Sequence, residues 1–362
     1  MKKLLLLIII FIMCISNCFA QDELTPLPSQ TGIVEKIEYI DINDTIAQTK
    51  QNVLVKLKDN EFITIENILT GNPFYDIKLK QGSKVILHTE TDGENIFYSI
   101  ENISRSGVLV WLSLIFCGLL IYVGRKKGLF SLVSIVLTCF LITNLLSPLI
   151  LAGVNPILGT ILICLLSTAI TMYLVGGFNR KSTSATFGCT LSIIVAGILS
   201  ALTVKFAQLT GFNDENSMFL YATHPQLSFI GITISTMLLA TLGAVMDVSM
   251  SIASTINEIY SIDNSKTVKE LFISGMNVGR DIIGTMANTL ILVYLGASLP
   301  LLLLTSNIDL QKFINLNQVV TEISSALIGS IAIVICVPIT AIVASELIKN
   351  MPEKQDFSEL EV

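Results

Sequence analysis

Residues 239–258 read LATLGAVMDVSMSIASTINE, an apolar run with one aspartate, Asp247, near its middle. From Ser228 to Asn257 the chain carries 30 residues with no other ionisable side chain. About 20 apolar residues let a helix cross a bilayer core, so this stretch reads as a transmembrane helix. An isolated carboxylate in hydrocarbon is costly. Asp247 therefore either does chemical work or sits at a membrane boundary.

Composition extends that reading to the whole chain. Of 362 residues, 52% are hydrophobic and 14% charged, and the mean hydropathy is +0.73, far from the mix of a soluble domain. The net charge of −6 equals the balance of residues 21–105 alone, 14 Asp/Glu against 8 Lys/Arg. Acidity thus belongs to one polar segment, and nucleic acid is not an expected partner. MKKLLLLIIIFIMCISNCFA at residues 1–20 has the basic, apolar and small-residue regions of a signal peptide, or of an uncleaved signal anchor. Either places residues 21–105 outside the cytoplasm. There GIVEKIEYIDI, QNVLVKLKD, EFITIENIL, SKVILHTE and NIFYSIEN read as strands separated by turns such as Lys58-Asp59-Asn60, Gly71-Asn72-Pro73 and Asp92-Gly93. Five strands suggest a small barrel, OB-like or SH3-like, or a sandwich.

The remainder cuts by length into spans near 107–124, 128–148, 156–176, 185–207, 227–248, 282–303 and 323–347. Starting outside, the cytoplasmic segments carry Arg125, Lys126, Lys127, Arg180, Lys181, Lys266, Lys269, Arg280, Lys349 and Lys354, while the outer ones hold Arg105, Lys205 and Lys312. That bias sets the C-terminus in the cytoplasm. The expected fold is an α-helical polytopic membrane protein, about seven transmembrane helices after the signal, with a small extracytoplasmic all-β domain. Its parts are the signal peptide or anchor (1–20), the β-domain (21–105), the helix bundle (106–350) and a cytoplasmic tail (351–362).

Polar residues in the bundle are patterned. Thr236, Ala240, Gly243, Asp247, Ser251, Ser254 and Glu258 fall on one helical face. The sixth span opens NVGRDIIGTMANTLILVYLG, in which Asp281, Thr285 and Asn288 share a face beside Arg280. Small residues permit close helix approach, between subunits as well as within one. Intramembrane carboxylates mark proton or cation pathways. Two carboxylate-bearing helices joined by a short connection would make a shared site.

The stretches GAVMDVSMSIASTINEI and SGMNVGRDIIGTMANTLILVYLGASLPLLLL closely resemble the YibE/F family of bacterial membrane proteins, and the layout of signal, outer domain and charge-poor spans is similar too. The resemblance implies a multi-pass protein of the bacterial plasma membrane and supplies no mechanism. The family's most characteristic positions fall on Gly243, Asp247, Glu258, Gly279, Arg280, Asp281, Gly284, Asn288 and Thr289. Gly243, Asp247 and Glu258 also resemble, in order and sidedness, a helix of the SecD and SecF translocase subunits and the resistance-nodulation-division superfamily, which couple proton flow to work outside. The outer domain here is far smaller, and two extra spans precede the helix.

Other chemistry is sparse. His88 and His224 lack further metal ligands at suitable spacing, the cysteines of the apolar runs read as small hydrophobes, and no nucleophile or phosphate-binding motif is present, so neither a cofactor nor a metal is expected. Three functions follow as expectations. The first is an ion- or proton-coupled permease for an unknown small solute or ion, with Asp247, Asp281, Arg280, Asn288, Thr285, Ser251 and Glu258 at the coupling site and Gly243, Gly279 and Gly284 as packing positions. The second is an envelope module whose residues 21–105 bind a partner while the bundle anchors it. The third is an intramembrane enzyme with an Asp247/Asp281 carboxylate pair.

Overall fold

The computed structural model describes residues 30–41, 49–92, 95–303, 305 and 308–350. The signal-peptide reading, the tail at 351–362 and Gly93 lie outside them. The chain forms two compact units that divide between Tyr122 and Val123.

The first unit holds strands β1 (Gln30–Asp41), β2 (Thr49–Leu57), β3 (Phe62–Leu69), β4 (Lys84–Asp92) and β5 (Asn95–Ile103). They form one antiparallel sheet in the order β3-β2-β1-β4-β5. β3 also approaches β5, so the sheet curls toward closure with the strand order of an OB barrel. Alternation decides the faces: Val53, Val55 and Leu57 point inward on β2 and pack with Val34, Ile65, Val85 and Leu87. β1 bends at Glu35, where its pairing with β2 slips by one residue between Val34 and Lys36.

Among the described residues, six helical segments are long and apolar enough to cross a membrane. The first, Ser106–Leu151, has 46 residues, enough for two crossings at about 20 residues each. It comprises α1 (Ser106–Leu141), a π-helical turn (Ile142–Leu146) and α2 (Ser147–Leu151). Arg125, at φ 48° and ψ −130°, breaks α1, so the segments expected at 107–124 and 128–148 occur without the loop that two spans would ordinarily need. The π turn lies just before Pro148, which cannot donate to the Asn144 carbonyl.

The remaining elements are α3 (Pro156–Gly176), α4 (Arg180–Phe206), α5 (Glu215–Thr223), α6 (Phe229–Ile262), α7 (Val268–Ala297), α8 (Leu299–Leu303), α9 (Leu310–Phe313) and α10 (Asn317–Asn350). Asn155 caps α3, Asn179 caps α4, and Thr267 with Glu270 forms a capping box on α7. α6, α7 and α10 run past the expected spans, at 34, 30 and 34 residues. α10 also continues through Pro338.

α10 lies at the centre of the second unit, against α4, α6 and α7. Small residues mark the contacts. Gly188 of α4 abuts Thr340, Ser249 of α6 meets Cys336 at 3.0 Å, and Gly279 of α7 abuts Val337. Ser134 to Thr171 (2.6 Å) and Thr138 to Ser167 (2.8 Å) tie the second part of α1 to α3.

Candidate functional site

The depth of Asp247 can be read from its neighbours. α3 has 21 residues, about 31 Å of helix, which matches a bilayer core. A Cβ on Gly231 of α6 would stand 3.2 Å from Pro156 at the start of α3, and one on Gly176 at its end would stand 2.8 Å from Met250 of α6. Residues 231–250 of α6 therefore cover the depth of α3. Asp247 lies inside that range, about 4.5 Å from its end, or nearly one turn.

α6 and α7 are antiparallel, with a turn at 263–267 between them. Gly275 opposes Ile256, and Thr241 and Leu290 meet at Gly329 of α10. Both contacts give one register: Gly284 stands level with Asp247, Asp281 with Met250, Arg280 with Ser251 and Asn288 with Gly243. Asp281 is thus within about 5 Å of Asp247 in height.

Direction is the unexpected part. Val245, Val248, Ser249 and Ile252 of α6 turn into the core, whereas Thr236, Ala240, Gly243, Asp247, Ser251 and Glu258 are exposed and Ser254 is half-buried. On α7, Leu271, Gly275 and Gly279 face inward, while Arg280, Asp281, Gly284, Thr285, Asn288 and Thr289 are exposed. The two stripes make one outward polar face. Gly279 is separated from this set by its contact with Val337, and nothing lies within 4 Å of a Cβ built on Gly243 or Gly284.

The face is poor in internal partners. Arg280 donates to the neutral Asn277 at 3.2 Å, and the Thr285 hydroxyl donates to the Ile282 carbonyl at 3.0 Å. Among the described residues, the ion pairs are Lys36–Glu38, Lys50–Glu66 and Lys266–Asp263, and the side chains of Asp247, Asp281, Glu258 and Asn288 make no hydrogen bond or ion pair. Such carboxylates can accept a proton or a hydrated cation without first breaking a bond.

One acidic group escaped the sequence reading. Glu322 stood just outside the expected span 323–347, but α10 begins at Asn317 and includes it. It lies near Tyr294 of α7, whose hydroxyl is also close to Ser325. Val319 and Val320, which extend the apolar period toward Asn317, were the available signal. Elsewhere His224 ends α5 with its Nδ1 3.0 Å from the Thr223 hydroxyl. Among the described residues no three His, Cys, Asp or Glu side chains group as metal ligands would.

Helices of this length and composition, with a polar stripe at bilayer depth, define a polytopic helical membrane protein that also carries a small β-domain. Residues 112–350 match the YibE/F-like protein family. That match covers well over half of the chain, which therefore belongs to this family. No curated protein and no solved structure matches it.

Proposed function

We propose that the protein is an ion- or proton-coupled secondary transporter of the bacterial plasma membrane, with residues 21–105 extracytoplasmic and the C-terminus cytoplasmic. Asp247 carries the proton or cation. Asp281 and Glu258 continue an acidic path toward the cytoplasm, Arg280 supplies the counter-charge, and Asn288, Thr285 and Ser251 offer neutral oxygen ligands. The excess of basic residues on the cytoplasmic segments supports the orientation. The observation that carries the reading is Asp247 itself: a carboxylate on a stretch of 30 residues without another charge, inside the depth of α3 and without a bonding partner. A group so placed is costly unless it is used.

The test is flux in proteoliposomes with a pH-sensitive dye inside, comparing wild type with Asp247→Asn. Loss of proton- or cation-driven flux in a variant that keeps its elution profile is expected. Equal traces for the two proteins would remove Asp247 from the coupling site.

A second reading rests on the β-domain. Phe74 and Tyr75 are 77% and 72% exposed and pack edge to face at 5.0 Å. Asp76 holds their loop by accepting from the Thr70 and Gly71 amides at 2.7 and 2.8 Å. Rigid exposed aromatic pairs anchor protein partners, so residues 21–105 also fit an envelope partner. Replacing both rings with alanine would then abolish function while Asp247→Asn left it intact.

A further inference from the structure

A bilayer dictates what an outward helix face looks like, and most of this bundle obeys. Leu158 and Leu162 on α3, Leu191 and Ile198 on α4, and Leu327 and Ile331 on α10 are exposed large apolar side chains. The α6–α7 face breaks the rule. Although Ile291, Leu292, Val293 and Leu295 resume the apolar surface on the C-terminal part of α7, no large apolar residue is exposed on α6 between Ile230 and Ile262, nor on α7 between Ile273 and Ile291. In their place stand Asp247, Asp281, Arg280, Asn288 and the open Gly243 and Gly284. Asp247 lies about one turn inside the core, with Asp281 and Arg280 at the edge nearer the α6–α7 turn; a carboxylate on a polar, glycine-bearing face set against acyl chains at that depth is unfavourable, and a protein partner relieves it.

We propose that a second copy of the chain covers it, in a dimer whose two-fold axis runs along the membrane normal, with Arg280 of each copy facing Asp281 and Asp247 of the other. Copies inserted in the same orientation can be related only by such an axis, so every residue meets partner residues at its own depth. That condition is demanding, and the face satisfies it. Arg280 and Asp281 are consecutive, and Asp247 is only about 6 Å deeper than Arg280 in the α6–α7 register. Base and acid therefore share a level, and the face is complementary to itself. Gly243 and Gly284, with nothing within 4 Å of a built Cβ, let the partner backbone come close. The chain's own first span is a poorer match, because residues 106–124 contain no charged side chain.

Cross-linking in native membranes tests the dimer. In a chain whose natural cysteines are replaced by serine, Gly243→Cys and Asn288→Cys are introduced on the polar face, with Leu191→Cys and Leu327→Cys as lipid-facing controls. Copper-phenanthroline oxidation is expected to give a band of twice the monomer mass for at least one polar-face position, several-fold above both controls. No excess over the controls overturns the proposal. So does ready labelling of both polar-face thiols by a water-soluble maleimide, which indicates a water-lined surface, or their cross-linking to a cysteine at Ser113 of the same chain.

Charge exchange provides the second arm. Arg280→Asp should reduce the dimer band at least fivefold, and Arg280→Asp with Asp281→Arg should restore it. Neighbours at i and i+1 do not face each other on a helix, so a restored dimer band reports pairing between copies, and its absence overturns the pairing. The dimer stands independently of transport: vesicles that retain Asp247-dependent flux without a dimer band would overturn the dimer alone.

Discussion

Gly188→Val should weaken the bundle sharply, because Gly188 is where α4 meets the central helix. A Cβ there collides with the Thr340 hydroxyl and stands 2.9 Å from Thr340 Cβ and 3.0 Å from its Cα. Turning the hydroxyl away relieves the first conflict only; the other two involve the trunk of α10, so the helices must part. Inserting carbon into a packed core costs about 1–3 kcal/mol, and the two further methyls of valine put this substitution at the upper end. A cost of about 3 kcal/mol is roughly a 150-fold change in the unfolding constant. Gly296→Val on α7 is the control, since nothing lies within 4 Å of a Cβ at that position. The propensity gained by removing a helical glycine, about 0.5 kcal/mol or less, is common to both. Unfolding with sodium dodecyl sulfate in mixed micelles, followed by circular dichroism, reads the difference. Wild-type behaviour of Gly188→Val, or equal shifts for the two variants, would refute close contact between α4 and α10.

Three further outcomes are expected. Asp214 caps α5 by accepting from the Ser217 hydroxyl and amide at 2.5 and 2.8 Å, which hold its carboxyl below the usual carboxylate range. A lowered pKa means the cap is complete above about pH 4 and is lost as pH falls through the lowered value; amide exchange of residues 215–223, corrected for intrinsic rates, should show that loss in wild type and not in Asp214→Asn. Thr267→Ala removes the capping box of α7, at about 1 kcal/mol, and should speed amide exchange in the first turn about fivefold. Arg180→Gln breaks the 2.7 Å bond from its Nη1 to the Ile348 carbonyl and should raise exchange at 345–350 by about tenfold, as loss of a charged hydrogen bond of about 1.5 kcal/mol requires.

The β-strands were legible because their alternation reports both position and direction. Val53, Val55 and Leu57 are separated by polar residues, and a soluble barrel has only one place for its apolar face. The closing order of the sheet was not legible, since it depends on which edge strands meet. In the bundle, apolar length found α6 and α7 but not their ends: α6 continues to Ile262, beyond the expected 248, and α7 runs from Val268 to Ala297 where 282–303 was expected. Residues 251–262 and 268–280 are helical although they are too polar to count as membrane span. Their stabilising contacts are tertiary: Ile256 on Gly275 and Val337 on Gly279.

Helical period likewise identified which polar residues share a face, without saying where that face points. In a soluble protein the ambiguity would resolve at once, because polar faces turn to water. In a bilayer both the interior and the surroundings are apolar, so polarity alone gives no direction. Ser249 and Ser251 illustrate the point with the same side chain two residues apart. Ser249 is buried, donating to the Val245 carbonyl at 2.7 Å and touching Cys336, while Ser251 is exposed beside Asp247. Close approaches of α10 settle the matter, for they commit the Ser249 side of α6 and the Gly279 side of α7 to the core. Asp247, Asp281 and Arg280 are thereby turned outward, at the end of the span nearer the α6–α7 turn. Their arrangement near a common depth, acid beside base, is the feature that a symmetric protein partner requires and a water-filled groove does not.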